Sequence, residues 1–353
     1  MNSRLIGGEY TIDKDMDLSR IQGGTQTLYS CGRIALKTIL EHALPDGSGT
    51  VLIPDHICGS VPDTVSNAGF KCLFYHIGED FMPDADSLTV TAAKADVVLL
   101  VNYFGMIPAD AMNKVINAVR SDKSDITVIM DDVQNYYGLY DEKTCDYAFT
   151  SLRKWFPVPD GAPVIRNTAG TKQSLYPETE AADIQIPLFS KYKFAGNILK
   201  NYRDVIGDEI SLKLLEKGEE IIDSDAGLAA MPHTSLIMKS LDLEAIRLRR
   251  QRNAAVLHKE LLRLDIPHLY SENAVPLFVP IVLKRGRDKV RKSMFESSVF
   301  CPVHWNDGWQ NRFDGVSVNP LCETELSLIC DQRYDEDDML YQLEILRNEC
   351  NDL

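Results

Sequence analysis

Nowhere in the 353 residues does an apolar run approach the roughly 20 positions that a membrane-spanning helix needs. The opening MNSRLIGGEYTIDKD has no apolar stretch behind its arginine, so a cytoplasmic protein is expected, with no export signal and no membrane partner. Positive charge is scarce as well: 37 Lys and Arg stand against 52 Asp and Glu, a formal net charge of −15. Such a surface repels nucleic acid and anionic lipid alike, so any phosphate the protein binds must be held locally. The eight cysteines form no C-x-x-C pair and are too sparse for a disulfide scaffold, which fits reduced thiols. G-x-x-x-x-G-K-[ST] and G-x-G-x-x-G are both missing, and so are H-E-x-x-H and any cluster among the seven histidines. Nucleotide cofactors and a catalytic metal therefore lose support.

What is present suits a folded protein of about two domains: 44% hydrophobic and 25% charged residues describe an ordinary globular chain. From Thr50 onward, short apolar runs alternate with amphipathic stretches, the pattern of a mainly parallel sheet between helices. Strands are expected at Thr50 to Pro54, Cys72 to Ile77, Ala95 to Tyr103, Ile126 to Met130, Tyr147 to Ser151 and Ala162 to Arg166. Helices are expected at Arg33 to Ala43, Ser60 to Ala68, Asp86 to Ala93 and Ala109 to Arg120. After Asn167 the strand signal fades. Tyr176 to Asp225 reads as polar and helical, broken by Pro177 and Pro187, and Leu241 to Leu264 as a long Arg-rich helix. Beyond it, Val275 to Leu283, Ser298 to Val303 and Leu326 to Cys330 read as strands, and Asp335 to Asn348 as a closing helix with acids in its first turn.

Ligands of an open α/β sheet gather beyond the carboxyl ends of its strands. Two such places carry titratable groups: Asp131 and Asp132 follow one run, and Lys154 closes Asp146-Tyr-Ala-Phe-Thr-Ser-Leu-Arg-Lys. Position alone leaves an ion pair, a magnesium site and a catalytic pair open. Ser30-Cys-Gly-Arg, at a helix entrance, offers free amides and the helix dipole to an anion.

The runs Ser151-Leu-Arg-Lys-Trp-Phe-Pro-Val-Pro-Asp-Gly-Ala and Val128-Ile-Met-Asp-Asp-Val-Gln resemble the DegT/DnrJ-type aminotransferases. The likeness extends from Ser30 to Leu326-Ser-Leu-Ile-Cys-Asp-Gln-Arg-Tyr-Asp. It implies the aspartate aminotransferase fold, pyridoxal-phosphate fold type I, with residues 1–23 as an N-terminal segment, 24–225 as a large cofactor-binding domain and 226–353 as a small α+β domain. Carried over residue by residue, Lys154 takes the place of the Schiff-base lysine, Asp131 of the acid that pairs the pyridine nitrogen, Gln134 of a ring contact and Ser151 of a phosphate-binding serine. Cys31-Gly32-Arg33 occupies the family's phosphate turn, so backbone contacts from Gly32 and Arg33 are expected. Where the family stacks an aromatic residue on the ring, His56 and Cys58 are available, and His56 is taken.

Those residue types suit the chemistry. The lysine amine must lose its proton to attack an aldehyde, which a crowded, cationic, partly desolvated setting favours. The ring nitrogen must keep its proton to act as an electron sink, which a buried carboxylate secures. The chain departs from the family's sugar-binding pattern: Met231-Pro-His-Thr-Ser stands where Asn-Tyr-Arg is common, and Asn201-Tyr-Arg203 precedes a different helix. Substrate candidates are His304 and Trp305, as cleft residues or plain packing, and Arg333, as a carboxylate clamp or an ion pair with Asp335 or Glu336. The Arg247, Arg249, Arg250 and Arg252 cluster reads as a solvated helix face.

The resemblance implies ping-pong transfer of an amino group, from a small-molecule donor such as glutamate to a keto-sugar, nucleotide-linked, in surface polysaccharide or secondary-metabolite biosynthesis. It also implies a homodimer with its active site near the subunit interface, for which Ile186, Phe189 and Phe194 offer apolar surface. Other pyridoxal-phosphate chemistry, by a lyase or dehydratase, or a cofactor-free scaffold on the same fold, are the alternatives. Lys154 departs from the family's sugar dehydratases, which carry His there.

Overall fold

A computed structural model describes residues 5–12, 27–139, 144–168, 171–177, 185–224, 227–306 and 308–350. A two-residue strand, β1 (Ile6–Gly7), precedes helix α1 (Gly32–Ala43), which buries Ala35, Leu36, Ile39 and Leu40 on one face at helical spacing. Strands and crossover helices then alternate: β2 (Thr50–Pro54), α2 (Ser60–Asn67), β3 (Lys71–Tyr75), α3 (Ala85–Ala92), β4 (Val97–Val101), α4 (Ala109–Asp122), β5 (Thr127–Asp131) and β6 (Tyr147–Phe149). Asp84 caps α3, accepting a 2.8 Å hydrogen bond from the Ser87 amide.

These strands and two more, β7 (Val164–Thr168) and β8 (Thr171–Leu175), form one seven-stranded sheet in the order β3-β2-β4-β5-β6-β7-β8. The first five are mutually parallel, β7 runs antiparallel to them, and β8, antiparallel to β7, returns to their direction. β4, Val-Val-Leu-Leu-Val, is buried throughout, as a central strand covered on both faces must be. β8 was not expected: Thr-Lys-Gln-Ser-Leu is largely exposed at the sheet edge, where no alternation of apolar residues is required.

Strand order reverses between β2 and β4, and the register aligns Val101 with Asp131 and Asp131 with Phe149. The strand ends on either side of this switch point open into one crevice.

The following stretch is helical, as expected: α5 (Leu188–Leu199), α6 (Arg203–Ile206) and α7 (Glu209–Ile221). α5 and α7 pack closely because each has a glycine at the crossing. A Cβ on Gly196 would lie 2.7 Å from Leu215, and one on Gly218 would lie 2.9 Å from Lys193. Phe189, expected as apolar surface, is instead fully buried in the first turn of α5, clustered with Cys31 and Ile222. The expected domain boundaries at 23/24 and 225/226 lie outside the described residues.

After α8 (Pro232–Ser240) and α9 (Leu243–Arg263) come β9 (Val279–Val282), α10 (Arg287–Glu296), β10 (Val299–Phe300), α11 (Leu321–Thr324), β11 (Glu325–Leu328) and α12 (Glu336–Cys350). The strands here are shorter than the apolar runs suggest, and they form two separate pairs. β9 is antiparallel to β11, while β10 is parallel to β1, so the N-terminal segment completes this part of the fold.

One arginine of the supposedly solvated α9 face is fully buried. Arg250 lies 4.7 Å over the Trp155 ring and donates to Gln332, the carbonyls of Pro276 and Leu277, and the Tyr10 hydroxyl. A helix face that meets several carbonyls can hold a guanidinium without water. No described helix is long and apolar enough to cross a membrane.

Candidate active site

The crevice holds a cavity of about 310 Å³, at the lower end of the size of small-molecule sites. Most of the expected residues line it together: Gly32, Arg33, Asp131, Gln134, Ser151 and Lys154, joined by His304 and Trp305 from the chain segment after β10.

Asp131 is the last residue of β5 and nearly buried. Its Oδ1 accepts a 2.9 Å hydrogen bond from the Val133 amide, and its Oδ2 has no partner among the described residues. Burial pushes its pKa up to about 7, against the opposing pull of that amide. Gln134 turns its Oε1 to the Phe104 amide at 3.0 Å, leaving its NH₂ uncommitted at the cavity wall. Phe104 holds this amide in place from a left-handed conformation (φ 58°), which a non-glycine residue adopts only when its surroundings enforce it.

The 3-10 turn Leu152–Lys154 follows β6. It is held by Trp155, whose indole NH donates to the Val133 carbonyl at 2.9 Å, tying the lysine turn to the Asp131 loop. Gly161 (φ 103°) closes the same turn from behind; a Cβ there would lie 2.9 Å from Leu152. The Lys154 amine stands in the cavity with no hydrogen bond or ion pair to any described residue. The neighbouring Arg153 guanidinium, then desolvation by the cavity walls, lower its pKa, while the residue as a whole is exposed.

At the other wall, α1 begins at Gly32 with no side-chain cap on its first amides, and the Ser30 hydroxyl is buried without a partner. A Cβ on Gly32 would lie 3.9 Å from the Ser151 Cβ, so the helix entrance and the Ser151 hydroxyl face one small space. Unsatisfied amides at a helix start with a free hydroxyl beside them form an anion cradle.

Two expected site residues lie elsewhere. His56 is fully buried behind the cavity, packed on Trp305, Tyr103 and Phe81 at 5.3, 5.7 and 6.1 Å, and Ile57 and Cys58 take its place at the wall. Residue 56 follows β2 so closely that its side chain still belongs to the sheet's interior. Burial, then the nearby His304, push its pKa down to about 3, so it is neutral. Arg333 is not part of the wall either. Its guanidinium makes a two-pronged pair with Asp331 at 2.9 and 2.8 Å and stacks over Tyr10 at 4.2 Å, so neither Asp335 nor Glu336 is its partner.

One acid at the site is marked by no motif in the sequence. Glu219 of α7 lines the cavity and receives Arg153 at 2.9 Å and Lys193 at 3.0 Å, and Lys193 also reaches Glu9 at 3.1 Å. Burial alone would raise the Glu219 pKa, but Arg153 and then Lys193 hold it well below the usual carboxylate range. Its signal lay in the glycines: Gly218 beside it and Gly196 on the facing helix mark a close crossing, which brings α7 onto the site.

No protein-family model matches the chain, and no curated protein matches it in sequence. Solved structures do match it. Spr1654 of Streptococcus pneumoniae, described as a sugar aminotransferase, aligns in its apo form over 98% of this chain and 92% of its own at 15% identity, with a TM-score of 0.64. The sugar aminotransferase CalS13 of Micromonospora echinospora aligns over 92% of this chain and 87% of its own at 13% identity and a TM-score of 0.62. The chain has the fold of these aminotransferases. A DegT DnrJ EryC1 StrS aminotransferase of Brucella abortus, at 15% identity over 91% of this chain and 85% of its own, has the same fold with a TM-score of 0.61. The fold type I architecture expected from the two motif runs is thus the one observed, and in it the cavity occupies the switch point of the large sheet.

Proposed function

We propose that the protein is a pyridoxal-phosphate-dependent aminotransferase that binds its cofactor covalently at Lys154. One observation carries this reading: an unpaired lysine amine with lowered pKa and a nearly buried carboxyl with an unpartnered oxygen line the same cavity as an anion cradle. The residues fit the group. Gly32, Arg33 and Ser151 would hold its phosphate, Asp131 its ring nitrogen, Gln134 a ring substituent and Lys154 its aldehyde carbon.

Bound there, pyridoxal phosphate supplies a carbon that takes up amino groups and a ring that accepts the electrons released. Asp131, kept protonated by burial, would pass its proton to the neutral ring nitrogen and remain beside it as the carboxylate, because a buried carboxylate is stable only beside an opposite charge. Lys154, freed when a substrate amine takes its place, would remain within the cavity as the base that moves the proton at the substrate carbon. Transfer runs from glutamate to a nucleotide-linked keto-sugar, in a cytoplasmic homodimer. The sugar amination described for Spr1654 and CalS13 supports the acceptor class.

Borohydride reduction of pyridoxal-phosphate-loaded protein, followed by peptide mapping, tests the assignment. The label is expected on Lys154; a label on another lysine, or none after saturation, rules it out. Mixing the loaded enzyme with glutamate alone should then release 2-oxoglutarate stoichiometrically. Elimination or decarboxylation of a substrate instead would replace transamination by another chemistry of the same cofactor.

A further inference from the structure

His304 lines the cavity, and its surroundings allow its protons to be counted. On β11, Glu325 and Ser327 are two residues apart, so both side chains leave the same face of the strand, and both are fully buried. Glu325 Oε2 accepts the His304 amide at 2.7 Å, and Oε1 accepts the Ser327 hydroxyl at 2.5 Å. A serine hydroxyl has one proton. Ser327 spends it on Glu325, so toward His304 Nδ1, 3.0 Å away, the serine oxygen can only accept. In the neutral imidazole Nδ1 therefore carries the proton, with Glu325 Oε1 also on that side of the ring at 3.7 Å, and Nε2, which has no partner among the described residues, is the acceptor. The rings of Phe104, Phe278 and Trp305, at 5.4, 5.5 and 5.1 Å, fix the imidazole plane.

We propose that Glu325 and Ser327 act as positioning residues that lock His304 in the tautomer whose Nε2 accepts a hydrogen bond from a hydroxyl of the amino acceptor. This rests on the aminotransferase reading and adds to it a criterion for the acceptor. An acceptor nitrogen in a partly dry cavity rewards a substrate that brings an O–H and gains nothing from a carboxylate, which has no proton to give. Neighbouring His56, neutral and buried, adds no positive charge that would turn the site toward anions. Of the two substrates in a ping-pong cycle, the keto-sugar offers hydroxyls, and glutamate and its keto acid offer none. His304 thus favours one acceptor over the other at a shared site.

Two measurements decide this. Histidine-selective ¹⁵N labelling of the intact protein, read by long-range proton–nitrogen correlation, is expected to show the neutral His304 ring with Nδ1 protonated and Nε2 bare. Ser327→Ala should lose that preference and Ser327→Thr, which keeps the hydroxyl, should retain it. A neutral ring with its proton on Nε2 overturns the proposal. In the second half-reaction, kcat/KM is compared for a nucleotide-linked keto-hexose and for 2-oxoglutarate, both with the pyridoxamine-phosphate-loaded enzyme. Ser327→Ala should lower the ratio of sugar to keto acid about tenfold, the worth of one misdirected hydrogen bond, and Ser327→Thr should restore it. A general loosening of the fold would depress both substrates alike and leave the ratio unchanged, and that result also overturns the proposal. If the wild-type enzyme converts neither acceptor, the aminotransferase reading fails; if it converts both while the ratio ignores Ser327, the relay alone fails.

Discussion

Asp131 shows how one side chain ties stability to function. Its folded pKa of about 7 lies above the ordinary 3.8, so it favours the fold at low pH, and that contribution is lost as pH rises through 7. In the cofactor-free protein, Asp131→Asn should therefore become relatively more stable than wild type between pH 5 and pH 8, by about 2 to 3 kcal/mol. Denaturant titrations at the two pH values check this, and parallel losses in both proteins would show that Asp131 is not the group concerned. In the loaded enzyme the same change should cost at least about a hundredfold in turnover, because an amide cannot keep the ring nitrogen protonated. Lys154 and Asp131 were legible because each follows an apolar run at a strand end, where position in sequence becomes position in space, whereas Gln134 and Ser151 came from the motif resemblance alone; all four line the one cavity. His56 and Arg333 were misread for a local reason: each lies near a strand end too, yet one points into the core and the other meets an acid two residues away.

At the scale of elements, the parallel strands declared themselves as continuous apolar runs, whereas β8 did not, since a hydrophilic edge strand needs only backbone pairing. The α5–α7 pair was legible as helical but not as part of the site. Its role depends on Gly196 and Gly218, which let α7 approach closely enough for Glu219 to meet Arg153 beside Lys154. Glu219 raises the Lys154 pKa while Arg153 lowers it, so Glu219→Gln should leave Arg153 less opposed and lower the lysine pKa further. The pH dependence of Lys154 acylation in the cofactor-free protein should accordingly move to lower pH. An unchanged or upward shift would mean that the α7 carboxylate is too well screened to matter. The fold should also lose about 1 to 3 kcal/mol: Lys193 keeps Glu9 but Arg153 keeps little other compensation, and the Glu219 side chain is 42% exposed and partly screened.

For the molecule as a whole, the residue of longest reach is Arg250, which lies deep in the structure and contacts four separated parts of the chain. Its guanidinium joins Tyr10 near the N-terminus, the Trp155 ring beside the lysine turn, the Pro276 and Leu277 carbonyls before β9, and Gln332 before α12. Gln332 in turn donates to the Trp155 carbonyl at 2.8 Å, so the same cluster holds the turn from both its ring and its backbone. Nothing in an Arg-rich helix distinguishes the one arginine that faces inward, because its acceptors are carbonyls contributed by distant segments. Arg250→Ala would strand those acceptors in a dry interior and leave a cavity, an expected loss of about 3 to 5 kcal/mol in unfolding free energy. Arg250→Lys should recover less than half of it, since a single ammonium cannot fan out to acceptors on several sides as a planar guanidinium does. Because Trp155 also anchors the Asp131 loop through Val133, both variants should bind pyridoxal phosphate more weakly, by about tenfold for alanine, as a dialysis equilibrium would read. Full stability in Arg250→Ala, or full recovery with lysine, would mean that these contacts are satisfied by water and that the lysine turn is held by the large sheet alone.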